Sequence, residues 1–152
     1  SRLLFNILDK LLFDEVREKS NLVYSISASK NFDQKIPIEL ISFYTYFNSD
    51  PKNIDIIKEK IDIEINKIKN KDFDLQIFKD QKLALKNNYK TSGETNSFWL
   101  GVLTDAKQNG LNIERISYRE AMLNSITVND IVKLANYYFD ENYLRSVSLV
   151  AE

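Results

Sequence analysis

Arg17 and Tyr24 stand seven positions apart, one in the last turn of a helix pattern, the other early in a strand pattern. A guanidinium carries five N–H donors and a phenol one O–H, so the pair is equipped to meet carbonyl oxygen or negative charge. Each type also has an ordinary use. A strand Tyr is commonly packed with its hydroxyl satisfied. An Arg near a helix C-terminus commonly serves the dipole or an acidic neighbour. Alternation strengthens that reading for Tyr24, because it places Leu22, Tyr24, Ile26 and Ala28 on one face. A second aromatic group, Phe43, Tyr44, Tyr46 and Phe47, falls on a second strand. Its default role is core packing; its alternative is to line a peptide-binding surface of the kind that accepts an added strand. Trp99, among apolar helical neighbours, reads as core or interdomain packing.

Other chemistry is excluded by residue type. The 152 residues include no histidine and no cysteine. A Ser-His-Asp triad, a Cys-His pair and a His- or thiolate-based zinc site are therefore impossible. Asp9, Asp14, Glu15 and Glu18 fall at helical spacings and read as a solvated face with local charge pairing, not a metal cluster. The net charge of −1 argues against a nucleic-acid or anionic-membrane surface. No apolar run is long enough to span a bilayer. Absent cysteine leaves the compartment open: periplasm, cytoplasm or an organelle are all compatible.

The elements that must position these residues follow from periodicity and punctuation. Leu3, Leu4, Ile7, Leu8, Leu11, Leu12 and Val16 trace one helical stripe, ended by Ser20-Asn21. Leu22–Ser29 alternates as a strand, Lys30–Lys35 reads as a turn, and Ile36–Phe47 as a longer strand apolar on both faces. Asp50-Pro51 starts a helix with Ile54, Ile57, Ile61, Ile65 and Ile68 inward. Lys58, Lys60, Glu64 and Lys67 form its solvated side. Asp72 caps a helix over 73–88, and Thr91–Glu94 opens another that stops at Asn109-Gly110. Ser117–Glu120 and Thr127–Asp130 open two more helices, and Leu144–Val150 reads as a final strand. The expected fold is α+β, a two-layer sandwich of a mostly antiparallel sheet with helices on one face. The whole span 1–152 reads as a single domain.

The run from Leu12 through Arg17, Glu18, Asn21, Leu22, Tyr24, Ser25 and Ser27 to Ala28 resembles the non-catalytic domains of pitrilysin-type zinc metallopeptidases, which include the processing peptidases. Asn21 stands where that family usually has Gly. The segment Asn96-Ser97-Phe98-Trp99-Leu100 is similar to another recurring piece of it. The resemblance implies a C-terminal domain that is inactive alone and lacks the family's first strands. It leaves a sheet edge open to a partner chain or a second copy. It also implies a zinc-binding catalytic domain elsewhere, in the same protein or a partner subunit, and a peptide substrate. On that resemblance Tyr24 donates to the oxyanion at the scissile carbonyl, Arg17 binds a substrate carbonyl, and Tyr44 and Tyr46 contact substrate. The alternative is a structural assembly module of the same fold without peptidase activity.

Overall fold

The computed structural model describes residues 1–33, 40–110, 112–140, 142 and 144–149. The first helix, α1 (Arg2–Leu12), is the centre of the molecule. Leu3, Leu4, Ile7, Leu8, Leu11 and Leu12 are all buried. They meet strand β1 (Ser25–Asp33) and helices α2 (Ile54–Lys69), α3 (Leu75–Ser92) and α6 (Val128–Tyr138). A helix walled on several sides needs an apolar arc wider than a single stripe, and the paired leucines supply it.

β1 pairs antiparallel with β2 (Leu40–Asn48), Ser27 opposite Tyr46 and Ser29 opposite Tyr44. Lys30–Asp33 continues β1 rather than turning, because these residues keep their backbone partners across to Phe43 and Leu40. Gln34, Lys35 and the predicted strand start at 36–39 lie outside the described residues. The inner face of the hairpin is fixed by aromatic contact. Phe43 stacks on Phe5 at 4.6 Å and meets Tyr138 at 4.7 Å, while Phe139 stands edge-on to Phe5 at 5.8 Å. The helices cover this face; Tyr44 and Tyr46 occupy the other and are exposed. The α+β class is as expected, with a two-stranded sheet among the described residues. Residues 144–149 form no strand, contrary to expectation. Neither β1 nor β2 pairs with them, and Val147 and Leu149 are left in solvent.

Several boundaries move for local reasons. Asp74, not Asp72, caps α3, its side chain accepting from the Gln76 N–H at 2.8 Å. Thr91 and Ser92 belong to the last turn of α3, where their hydroxyls donate to the carbonyls of Asn87 and Asn88. Hydroxyls committed to carbonyls one turn back cannot cap the next helix. Thr95 caps α4 (Asn96–Asn109) instead, and Gly110, with φ 64°, ends it as expected. Ser117 lies inside α5 (Arg115–Ser125), donating to the Glu114 carbonyl, so it opens nothing. Asp50-Pro51 behaves as expected: Asp50 accepts from the Lys52 N–H and a short 3-10 turn leads into α2.

At α6 the expected capping box is present. The Thr127 hydroxyl accepts from the Asp130 N–H, and the Asp130 carboxylate accepts from the Thr127 N–H and hydroxyl. Those bonds, the hydroxyl's first and the backbone's second, hold the Asp130 carboxyl below its ordinary range. A depressed folded-state pKa contributes stability that is present above the unfolded value, ~3.9, and is lost as pH falls through the lower folded value. Asp130→Asn is therefore expected to lower the melting temperature at neutral pH, with the gap to wild type closing as the solution is acidified below about pH 4. A gap independent of pH would exclude this account.

Asp9 departs from the solvated face expected of it. Its carboxylate accepts from the Ala28 N–H at 2.8 Å, on the side of β1 away from β2. A charge at a strand edge satisfies a bare donor and discourages pairing with another chain. Asp9→Ala is expected to cost about 1–2 kcal/mol in urea denaturation, the loss of one charge-assisted bond at a half-buried site. Asp9→Asn, which keeps an acceptor, should cost less.

Candidate functional site

At Phe13 the helix changes winding. Phe13–Lys19 is π-helical and carries Arg17. The wide turn closes through three bonds: Ser20 Oγ donates to the Glu15 carbonyl, the Asn21 N–H to that of Arg17, and the Leu22 N–H to that of Val16. Asn21 takes φ 50°, the left-handed conformation expected at this exit. Val16 stays fully buried and anchors the segment on the core.

The chain then bends, which changes the facing of Tyr24. Val23 and Ile26, three apart, are both buried, so simple alternation fails between them. Tyr24 lies before the strand proper, its N–H donating to the Asn48 carbonyl at 2.8 Å. Its side chain is 76% exposed and does not share the core face with Ile26. Tyr44 and Tyr46 are 52% and 66% exposed. Tyr24 is tied to the same end of the hairpin as Tyr46, because Asn48 is two residues from it.

Arg17 is exposed as well. Two of its acidic neighbours are taken, Lys10 binding Asp14 at 2.6 Å and Lys19 binding Glu15, and Glu18, next in the chain, forms no ion pair with it. The Lys19 hydrogen bond holds the Glu15 carboxyl below its usual range. Among the described residues Arg17 makes no ion pair, and its guanidinium sits 5.0 Å from the Phe13 ring centroid. The acidic partner that would make this arginine merely structural is thus absent among those residues. Phe43 and Phe47 pack, partly buried, against the core, whereas Tyr44 and Tyr46 stay exposed.

No group of three or more acidic side chains among the described residues could hold a metal ion. A cleft of about 600 Å³ lies elsewhere, lined by Arg2, Tyr89, Thr95, Phe98 and Arg119 among others. The Arg119 guanidinium lies 4.8 Å from the Tyr89 ring and 4.6 Å from the Phe98 ring, and donates to the Tyr89 carbonyl. This joins α3, α4 and α5. Of the candidate residues Phe98, from the Asn96–Leu100 segment, lines the cleft; Arg17, Tyr24, Tyr44 and Tyr46 do not, and Arg2 stands at the opposite end of α1 from Arg17. Its signal in the sequence is faint, since residues 2, 89, 98 and 119 share no spacing. Trp99 is partly exposed rather than core; its indole N–H donates to the Gly93 carbonyl at 2.8 Å.

Residues 1–85 match the family described as the Peptidase M16 inactive domain. No curated protein matches the chain. The fold is similar to that of a protease from Helicobacter pylori, with a TM-score of 0.75 and 17% identity, over 91% of this chain and 35% of that one. It is also similar to a conserved protein from Enterococcus faecalis, with a TM-score of 0.68 and 21% identity, over 88% of this chain and 32% of that one. This chain thus spans about a third of each of those chains.

Proposed function

Because the chain belongs to the M16 peptidase family, matching its inactive domain, we propose that it closes the chamber of a zinc peptidase and offers donors to the reacting peptide. In this reading the zinc ion and the hydrolytic chemistry belong to a catalytic domain in the same protein or a partner subunit. This chain, without histidine or cysteine, has no imidazole or thiolate to offer the metal.

Tyr24 donates its phenol O–H to the oxyanion that develops at the scissile carbonyl. Arg17 binds a neighbouring substrate carbonyl. Fixed donors aimed at developing charge in a site closed to water stabilise the transition state more than the ground state. Tyr44 and Tyr46 extend the contact surface along the outer face of the hairpin. The observation that carries the reading is that Tyr24 is exposed and that Arg17, seven positions before it in the chain, has no acidic partner among the described residues. A packed phenol or a paired guanidinium would have made both residues structural.

The test is peptide hydrolysis by this chain together with its zinc-bearing companion. Removing the phenol hydroxyl must slow turnover while zinc content stays unchanged. A second reading, a structural assembly module of the same fold, draws support from α4, where Trp99, Leu100 and Leu103 are exposed together. Hydrolysis indifferent to both Arg17 and Tyr24 would favour that module.

A further inference from the structure

We propose that Phe13 is the positioning residue for Arg17, its ring holding the guanidinium in place before substrate arrives. The inference rests on the functional reading above and adds to it a residue that makes no contact with the peptide itself.

The π-helical segment begins at Phe13 and runs for seven residues. Such windings are rare, usually a single turn, and frequently found at functional sites. Here the winding spans the interval from Phe13 to Arg17. It is held open by named bonds: Ser20 Oγ satisfies the Glu15 carbonyl, and the Leu22 N–H reaches back to Val16. Residues four apart still share a face of the helix, and the Arg17 guanidinium carbon lies 5.0 Å from the Phe13 ring centroid. That is within reach of the cation–π attraction.

Two of the three carboxylates nearest to Arg17 in the chain are committed to other partners, and the guanidinium meets the ring rather than the third, Glu18. Asp14 is bound to Lys10 and Glu15 to Lys19. Lys10 also approaches the same ring, at 6.0 Å, but its ammonium is committed to Asp14. A ring restrains a guanidinium without consuming its N–H donors. An acidic partner would occupy them. A flexible side chain that must present free donors to a carbonyl is best held in this manner, because less rotamer entropy is then lost on binding.

The experiment compares Phe13→Leu and Phe13→Tyr in the assembled peptidase, alone and combined with Arg17→Ala. Phe13→Leu is expected to lower kcat/KM about two- to fivefold, the size of one partly exposed cation–π contact. Phe13→Tyr should restore it, and Phe13→Leu should have no further effect once Arg17 is Ala. In NMR spectra of the chain, the Arg17 Nε–H resonance should show a ring-current displacement that Phe13→Leu abolishes and Phe13→Tyr keeps. Equal losses from Leu and Tyr, a full Phe13→Leu effect in the Arg17→Ala background, or no ring-current displacement would overturn the proposal. Hydrolysis unaffected by Arg17→Ala would instead remove the functional reading beneath it.

Discussion

Tyr24→Phe in the assembled peptidase should lower turnover at least tenfold, toward the ~10²–10³ typical of losing one oxyanion donor. The substitution deletes one hydroxyl and keeps the ring. With the side chain 76% exposed, no packed cavity opens and no buried partner is stranded. The backbone position survives too, because the tie to the hairpin is the Tyr24 N–H to the Asn48 carbonyl. Folding stability and zinc content should therefore match wild type. The loss should fall on kcat rather than KM, since the bond is made to charge that exists only in the transition state. Arg17→Ala differs, because a guanidinium on a substrate carbonyl acts in both states and its removal should raise KM. Wild-type hydrolysis by Tyr24→Phe would refute the oxyanion role.

The elements around this site were legible to different depths. The α1 stripe, the Asn21 exit, Asp50-Pro51, Gly110 and the Thr127 box each rest on a local rule that tertiary packing left intact. The exposure of Tyr24 was not legible. Alternation assumes an unbroken strand, and the bend between Val23 and Ile26 resets the phase. Nor was the π-winding, because Val16 continues the helical stripe and conceals the change from 3.6 residues per turn. Asp9 failed for another reason: its partner is a backbone N–H nineteen residues away, which no local spacing encodes. The final strand failed because a strand is a property of a pair. Alternation in Leu144–Val150 supplies one member, and neither β1 nor β2 supplies the other.

Glu64 shows how residue type can hide a position. It lies seven residues after Ile57 and four before Ile68, both fully buried, so the helical period places it at the core. Its charge argued for the solvated side, yet its side chain is 3% exposed. Oε1 accepts from Lys67 Nζ at 2.7 Å, while Oε2 meets no hydrogen-bond partner among the described residues. The two substitutions of this pair should therefore differ in sign or size. Lys67→Ala strands a buried carboxylate. Its expected cost is on the order of 2–3 kcal/mol in urea denaturation, below the ~3–5 of a fully buried pair. The discount reflects a lysine side chain that is one-third exposed. Glu64→Met removes the desolvated charge and keeps the volume, so it should be neutral or stabilising. With the carboxylate gone, Lys67→Ala should then cost little, and the double-mutant cycle reports that difference as coupling. A Glu64→Met protein less stable than Lys67→Ala would mean that Oε2 has a partner and that the carboxylate is held for its bonds rather than merely tolerated.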